Sequence, residues 1–348
     1  MISKMKWTVG TLQVLGLCAT VLSGLSFAEQ EIIEVKHYRF ALIGKDQRQF
    51  FTRAHLGCKE AELELDNVLC EFHSPQHNDV IEQDRLIRHV LNSGVDGIAL
   101  SVIQSSYLAE NSLQMAKEMG IPIITFDSDL NIPARKIYQG LRLAYVGTNN
   151  ESYGRLFAKA LKKLHPNGAT VCLQTGRPDS PNLMSRLKGF RAELSGDEGT
   201  RAPGKKLIGV NRWFEHGRCP LYSYEDPEIA LNQLSLVISR DIQDIDAIVS
   251  FGGWAQFFPN SYDEAITPYQ KKRRKHNVSL IFADALYFQL RLLEEGLTDV
   301  NISQSPYEMG RQAIHTLNKI VQKEEFEEFQ YTPISICTMD EKITCIKD

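Results

Sequence analysis

Short apolar runs alternate with longer amphipathic segments along most of the chain. Many of these runs are almost continuously apolar, which is typical of strands in a parallel sheet that helices cover on both faces. The runs predict strands at Phe40–Ile43, Val68–Phe72, Gly97–Val102, Pro122–Phe126, Tyr145–Gly147, Thr170–Gln174, Leu207–Val210, Ala247–Phe251 and Ser279–Ala283.

The segments between the runs have the length and the amphipathic pattern of helices. Gly94, Gly120 and Gly296 each follow such a segment, and glycine commonly ends a helix. The predicted helices are Phe51–Leu63, Val80–Ser93, Leu108–Met119, Tyr153–Leu164, Asn182–Leu194, Pro227–Ser239 and Tyr287–Glu295. Alternation of strands and helices at this spacing predicts parallel sheets with right-handed crossovers.

The number of predicted strands bears on the domain organisation. Nine strands are many for one open sheet, and 348 residues exceed what one hydrophobic core usually supports. We therefore expect an α/β fold with two doubly wound parallel-sheet lobes. Ligands of such sheets bind at the carboxyl ends of the strands. The residues that follow each apolar run are therefore the candidates for a functional site.

Composition and charge narrow the classes of protein. The chain is 43% hydrophobic and 24% charged, which excludes a wholly disordered, collagen-like or coiled-coil protein. The formal net charge of −4 gives no electrostatic reason to expect nucleic acid as a partner. The basic run Lys271–Lys275 is most simply a solvated surface, and a contact with an acidic partner or a membrane face is the alternative.

The N-terminal residues have the pattern of a secretory signal peptide. Two lysines precede an apolar stretch from Val14 to Leu25, and Ser26–Ala28 follows it as a cleavage site of small residues. A membrane anchor is the alternative, but an anchor needs about 20 apolar residues, and Gln13 interrupts this stretch. We expect residues 1–28 to be removed and the remainder to be exported and soluble.

The cysteines fit an oxidising compartment. The chain has seven cysteines, and Cys18 lies within the expected signal peptide, which leaves an even number for disulfides. Cys172 lies in an apolar strand, where a buried thiol is the simplest interpretation, and Cys219 is either its partner or free. The cysteines predicted to form two local disulfides are Cys58 with Cys70 and Cys337 with Cys345.

Charged, amide and aromatic side chains follow several predicted strands. Asp127 and Asp129 follow one strand, Asn182 and Arg186 follow another, and Asp284 follows a third. Planar polar side chains can form two hydrogen bonds with adjacent hydroxyls, and aromatic rings can cover the C–H face of a sugar. This chemistry suits a neutral polyol. Helix capping by Asp127 and a surface position for Arg186 are the structural alternatives.

Other chemistry has little support in the sequence. His73 and His77 are four residues apart, but the Ser-Pro between them argues against a helix that would align both on a metal. We expect no metal and no cofactor. No Gly-x-Ser-x-Gly or His-Glu-x-x-His motif occurs, so we do not expect an enzyme. Glycosidase-like catalysis would require Asp127 and Asp284 to flank one bond.

Several motifs occur in an order and at a spacing that together are specific. They are the first strand followed by Phe50-Phe51, VDGIALSV, GIPIITFDSD, AYVGTNNESYGRLFAKAL, Arg186-x-x-Gly189-Phe190, GGWAQFFPNSYDEA, ADALYFQLRLLEEG and SQSPYEMGRQA. With these motifs the chain resembles the ribose/galactose-type periplasmic sugar-binding proteins, a branch of the class I periplasmic binding proteins. The resemblance extends from about Arg39 to Ile336.

The resemblance implies two lobes that are joined by a three-segment hinge and close on a ligand. The lobes would comprise residues 36–145 with 305–331, and residues 146–304 with 332–348. It also implies roles for individual residues. Phe50 and Phe51 would stack on the ligand unless both belong to the core, Asp127 and Asp284 would bind hydroxyls, Arg186 would bind ring or hydroxyl oxygens, and Gln304 would lie at a hinge crossing.

Two residues depart from the pattern of the ribose binders. Arg48 and Trp254 stand near positions where those proteins usually offer amides. They put ribose itself in doubt and would suit a bulkier, modified or weakly acidic sugar. The complete set of predicted ligand-binding residues is Arg48, Phe50, Phe51, Asp127, Asp129, Asn182, Arg186, Trp254, Asp284 and Gln304.

The expected function is capture of a small carbohydrate-like ligand between the lobes. The expected partner is an inner-membrane ABC-type permease, to which a monomeric binding protein would deliver the ligand. The alternative is a sensory protein whose closed form is presented to a membrane receptor, kinase or chemoreceptor. Residues of the cleft serve both roles and do not separate them.

Overall fold

The computed structural model describes residues 37–196, 205–340 and 345. Residues 1–28, the predicted signal peptide, lie outside these ranges. The strands are β1 (Tyr38–Ile43), β2 (Val68–His73), β3 (Gly97–Leu100), β4 (Ile123–Phe126), β5 (Tyr145–Gly147), β6 (Ala169–Thr175), β7 (Trp213–Glu215), β8 (Leu221–Tyr222), β9 (Ala247–Ser250), β10 (Ser279–Ala283), β11 (Val300–Ser303), β12 (Phe329–Tyr331) and β13 (Ser335–Thr338).

Several helices begin at side-chain caps or at proline. Asp79, Asn149 and Asp226 each accept a hydrogen bond from a backbone N–H of the first turn that follows. The α-helices are α1 (Gln49–Glu64), α2 (Val80–Asn92), α3 (Ser105–Glu110), α4 (Ser112–Glu118), α5 (Ile132–Ile137), α6 (Asn150–Leu164), α7 (Pro181–Ser195), α8 (Pro227–Arg240), α9 (Pro259–Ile266), α10 (Gln270–Lys275), α11 (Tyr287–Glu294) and α12 (Pro306–Val321).

The strands form two sheets that are dominated by parallel pairs. The first sheet has the order β12-β5-β4-β3-β1-β2, and all its pairs are parallel. The second has the order β13-β11-β10-β9-β6-β7, with β8 also paired to β6 and β13 antiparallel to β11. Each sheet with its helices is called a lobe here, first and second in that order. The chain passes between the lobes after β5, after β11 and after β12.

The two-lobed α/β fold expected from the sequence is confirmed. Apolar clusters cover both faces of each sheet, which explains the continuously apolar strands. Among the residues that the structure describes, no helix combines the length and the apolar composition that a membrane crossing requires.

Three local predictions are wrong. Leu207–Val210 is not a strand, because Gly209 has φ 111° and Val210 begins a 3₁₀ turn. The single helix predicted over Leu108–Met119 is divided at Asn111 into α3 and α4. The set of nine predicted strands also omitted the buried strand β11, which covers Val300–Ser303.

The basic run is only partly a solvated surface. Arg273 is buried within it and donates a hydrogen bond of 2.5 Å to Asp299. The other four basic residues of the run lie on the accessible side of α10 or its end. At this position the run is therefore paired within the fold, since a buried guanidinium needs such a partner.

Three disulfides join the six described cysteines. Cys58 pairs with Cys70 and Cys337 pairs with Cys345, which are the two local pairs considered from the sequence. Cys172 also pairs with Cys219, which is one of the alternatives left open by the sequence, so Cys172 is not a buried free thiol. This third disulfide ties strand β6 to the loop between β7 and β8.

Glycines allow one helix pair in each lobe to pack with backbones in contact. A Cβ on Gly57 would lie 1.9 Å from the carbonyl oxygen of Tyr307, which brings α1 against α12. A Cβ on Gly154 would lie 1.9 Å from the carbonyl oxygen of Arg186, which brings α6 against α7. Because no other residue lacks the Cβ, these glycines set the spacing of the helices. The second contact fixes the backbone of a candidate site residue.

Candidate functional site

The carboxyl ends of both sheets face one cleft, and its walls include nine of the ten predicted ligand-binding residues. These residues surround a small cavity of ≈ 60 Å³. The nine are Arg48, Phe50, Phe51, Asp127, Asn182, Arg186, Trp254, Asp284 and Gln304. The cavity is further lined by Lys45, Asp46, Leu183, Glu225, Gly252 and Phe257.

Arg186 is held rigidly at the second lobe's side of the cleft. It projects from α7, and its guanidinium donates to Asn150 Oδ1, to the carbonyl oxygen of Phe251 and to Gln304 Oε1 at 2.7–2.8 Å. It also lies 4.7 Å from the centroid of the Tyr153 ring. Arginine has five N–H donors, and three are used in these bonds. These bonds fix the orientation of the guanidinium in the cavity wall.

Gln304 connects Arg186 to Asp284. Its amide oxygen accepts from Arg186, and its amide nitrogen donates to Asp284 Oδ1 at 2.6 Å. Gln304 also accepts from Thr148 Oγ1 at 2.8 Å, which joins the two neighbouring crossings between the lobes. The side chain expected at a hinge crossing therefore links two site residues as well.

Asp284 is buried among donors. Its backbone N–H donates to the Tyr153 hydroxyl at 3.2 Å, and Asn301 donates to its carbonyl oxygen at 2.8 Å. Burial raises the pKa of Asp284, whereas the charge of Arg186 and the hydrogen bond from Gln304 oppose this rise. Burial likewise raises the pKa of Tyr153, so its hydroxyl stays protonated.

Asp127 and Asp284 have the same unusual backbone conformation. Both follow a strand end directly, and their φ angles are 56° and 67°. Residues other than glycine seldom occupy this left-handed region, although aspartate tolerates it best. Strain of this kind persists where the surrounding structure requires a particular side-chain direction, which is common at binding sites.

Lys45 joins Asp127 to Glu225 across the cleft. Its ammonium lies 3.2 Å from Glu225 Oε2 and 3.8 Å from Asp127 Oδ2. All three side chains are at least nine-tenths buried. Ser101 donates to Asp127 at 2.8 Å, and Asn78 donates to Glu225 at 3.4 Å. Because Lys45 and Asp127 belong to the first lobe and Glu225 to the second, the lobes are in contact here.

Arg48 makes a second contact between the lobes. Its guanidinium is paired with Asp46, lies 4.9 Å from the centroid of the Phe257 ring, and contacts the carbonyl oxygen of Glu225 at 3.4 Å. The Asp46 carboxylate balances its charge. Arg48 therefore does not present an unpaired cation to an acidic sugar, which was one basis for expecting such a ligand.

Aromatic side chains form the apolar walls of the cavity. Phe50 and Phe51 lie edge to face with ring centroids 5.2 Å apart, and both also belong to the core of the first lobe. Trp254 lies against Gly252 and Gly176, where an added Cβ would approach its ring to 2.4 Å and 3.0 Å. The Trp254 ring therefore fills space that other side chains would leave open. It forms part of the cavity wall.

Asn182 lies at the start of α7 and accepts a hydrogen bond of 2.5 Å from Ser180 Oγ. It is the remaining predicted residue of the cavity wall. Its amide nitrogen adds a donor to the same side of the cleft as Arg186.

Asp129 is the one predicted residue that the structure places elsewhere. It receives two hydrogen bonds from the buried Arg142, at 3.0 Å and 2.6 Å, and a further one of 2.6 Å from Thr125. These bonds turn its carboxylate toward the protein, and Asp129 does not line the cavity. The position of Asp129 two residues after Asp127 did not reveal this partner, because Arg142 lies 13 residues from Asp129 along the chain.

Four charged or aromatic residues of the cavity wall were not predicted from the sequence: Lys45, Asp46, Phe257 and Glu225. The first two lie directly after β1, at a strand end, so the rule that located the other residues also applies to them. Glu225 follows β8, which has only two residues and leaves no recognisable apolar run. Tyr224 and Glu225 both have positive φ, and this conformation turns the loop into the cleft.

The arrangement is suited to recognising a polar molecule through many hydrogen bonds. Carboxylates accept, guanidinium and ammonium groups donate, and the amides of Asn182 and Gln304 do both. In the described part of the chain, no cluster of His, Cys, Asp and Glu has the composition of a metal site.

Comparison with known proteins identifies the family. The model of the periplasmic binding protein domain matches residues 40–325. The chain therefore belongs to the periplasmic binding protein family, as the sequence resemblance indicated. The solved relatives are solute-binding proteins and not enzymes.

Three solved structures show the same fold. GanP, a glucose-galactose binding protein from Geobacillus stearothermophilus, is 21% identical, with a TM-score of 0.70 over 88% of this chain and 99% of its own. An ABC transporter solute binding protein from Burkholderia graminis, in complex with D-arabinose, is 23% identical. Its TM-score is 0.73, and the match covers 90% of this chain and 99% of that protein's chain. The XylFII-LytSN complex contains a chain that is 19% identical. Its TM-score is 0.68, and the match covers 87% of this chain and 98% of that chain.

Proposed function

We propose that this protein binds a sugar or sugar-like molecule in the cleft between its lobes and delivers it to an ABC-type importer. The observation that carries the proposal is the convergence of Asp127, Arg186 and Asp284 on one cavity with aromatic walls. Two carboxylates and a fixed guanidinium can each bind adjacent hydroxyls. The relatives named above include an ABC transporter solute binding protein in complex with D-arabinose.

Export to the periplasm and a monomeric state belong to the same proposal. The signal-like N-terminus supports export, and disulfides persist in that compartment. Binding would stabilise the closed arrangement, because the ligand contacts both lobes only when they meet.

The direct test is a thermal-shift screen of the mature protein with neutral, acidic and amino monosaccharides. At least one should raise the melting temperature, as expected for a ligand that binds only the folded state. Arg186→Ala should lose this response. Lys188→Ala is the matched control, because Lys188 lies on the same helix and pairs with Glu151 outside the cavity. Absence of any response across the panel would reject the proposal.

A second candidate function is ligand sensing. One chain of similar fold was solved in the XylFII-LytSN complex, in which it is assembled with a second protein. Deletion of the gene separates the two functions. Loss of uptake of the ligand supports transport, whereas normal uptake with a lost transcriptional response supports sensing.

A further inference from the structure

The charges that line the cleft do not balance. Asp46 and Arg48 form one pair. Arg186 and Asp284 form a second set, which Gln304 bridges. The remaining charged groups are Lys45, Asp127 and Glu225, so one ammonium faces two carboxylates.

This group of three is buried and is divided between the lobes. Asp127 belongs to the first lobe and Glu225 to the second, with Lys45 within 4 Å of both. Closure therefore brings two carboxylates toward each other in a region with little water. Burial of an uncompensated charge is costly. A second cation in this corner would remove the imbalance and would act only in the closed state.

A neighbouring amide adds a further acceptor. Asn78 donates to Glu225 at 3.4 Å, and its Oδ1 is buried with no hydrogen-bond partner in the described part of the chain. An ammonium group has three donors and no acceptor. It is therefore the complement of a corner that is rich in carboxylate and amide oxygens.

We propose that the ligand carries a protonated amine, as an amino sugar or amino polyol does, and that Glu225 is the residue that selects it. This inference rests on the proposed function and specifies its ligand class. It is opposite in sign to the weakly acidic sugar suggested by Arg48, whose charge Asp46 already balances. A carboxylate on the ligand would add a third negative charge to this corner and would be excluded.

The test compares ligands that differ only in one group. Isothermal titration of the mature protein with D-glucosamine, D-glucose and D-glucuronate, and with the corresponding galactose series, measures the preference directly. In the sugar series that binds best, we expect the amino sugar to bind about tenfold more tightly than the neutral sugar. This ratio corresponds to a difference of about 1.4 kcal/mol in binding free energy. The uronate should bind more weakly than both.

A variant assigns the preference to Glu225. Glu225→Gln removes the charge and keeps the size, so the ratio of the two dissociation constants should fall close to one. Glu228→Gln is the matched control, because Glu228 is exposed three residues away on the same segment, and it should keep the wild-type ratio. Thermal unfolding of both variants checks that they fold, and the wild-type comparison stands without them.

The outcomes separate this inference from the proposed function. Equal or tighter binding of the neutral sugar would overturn the inference and leave sugar binding intact. Retention of the amine preference in Glu225→Gln would overturn the role of Glu225. If no carbohydrate binds, with or without an amine, the proposed function fails and this inference fails with it.

Discussion

At the scale of single residues, Asp284 shows how binding chemistry opposes stability. Its carboxylate is buried, lies at the end of β10 in the left-handed backbone region, and has a raised pKa. Each property has a cost for the folded protein. These costs are expected at a binding site, where hydrogen bonds from the ligand to the Asp284 carboxylate would offset them.

The pH dependence of this group can be predicted. Because the folded pKa of Asp284 is raised, the folded protein holds this proton more tightly than the unfolded chain does. The stabilising contribution of protonated Asp284 to the free energy of unfolding is therefore complete below the pKa of this group in the unfolded chain. It is lost as the pH rises through the pKa of Asp284 in the folded protein. At pH 7 the charged form is the penalised one.

Asp284→Asn removes the charge and keeps an acceptor for Gln304. We expect the ligand-free melting temperature to rise by roughly 1–3 °C at pH 7, and by less at pH 4, with loss of the ligand response. Scanning calorimetry at both pH values measures this. Asp244→Asn, at an exposed position, is the control. A marked fall in stability at pH 7 would show that the carboxylate supports the fold.

The residue scale also shows what the sequence could predict. Arg186 and Asp284 could be predicted as site residues because each follows a clear apolar run. Parallel strands bring the residues at their carboxyl ends together. Asp129 satisfied the same rule but has a structural partner in Arg142, which only the tertiary fold brings near. Glu225 was missed for the opposite reason, because its loop has no preceding run and reaches the cleft through local backbone conformation.

At the scale of elements, the α6–α7 pair positions Arg186. The close approach at Gly154 presses α6 against the backbone of Arg186 itself. The sequence predicted both helices but not their spacing, because a glycine within a helical pattern does not reveal which backbone it faces. The wrong strand over Leu207–Val210 has a similar cause, since its apolar residues precede a turn whose conformation the pattern does not show.

Gly154→Ala should therefore affect both stability and binding. The new Cβ would lie 1.9 Å from the Arg186 carbonyl oxygen, so the helices must separate. We expect a loss of about 1–3 kcal/mol in the free energy of unfolding and about tenfold weaker ligand binding. Denaturant titration and calorimetry measure the two effects. Gly217→Ala is the control, since nothing lies within 4 Å of its added Cβ; equal behaviour of the two variants would contradict this account.

The Cys172–Cys219 disulfide is the second element-scale feature. It closes a loop with a sequence separation of 47 and anchors the segment that continues to Glu225. Replacement of both cysteines by alanine should cost roughly 2–4 kcal/mol of stability and weaken binding by releasing this segment. Peptide mapping without reductant should recover the linked pair from the wild type. Two free thiols would contradict the assignment.

At the scale of the whole molecule, three crossings of the chain make closure the natural response to a ligand. The contacts of Lys45 and Arg48 with the second lobe are the contacts that opening would break. Alternation of strands and helices predicted the two lobes, and the resemblance implied the three-segment hinge. The closed geometry was not predictable, because it depends on side chains that meet only across the cleft.

Ligand should therefore shift the population of open and closed molecules. Small-angle X-ray scattering of the purified protein should show a smaller radius of gyration when a binding sugar is added, because a ligand stabilises the state in which it contacts both lobes. Arg186→Ala should show no decrease at the same sugar concentration. An unchanged radius for the wild type with saturating ligand would contradict closure as the response.

The most direct test of the central claim is a crystal structure of the mature protein with the carbohydrate that binds best. We predict electron density for one ligand between the lobes, with its polar atoms about 2.7–3.2 Å from Asp127, Arg186 and Asp284 and a ring face against Phe50 or Trp254. Density only at positions away from Asp127, Arg186 and Asp284 would contradict sugar binding between the lobes.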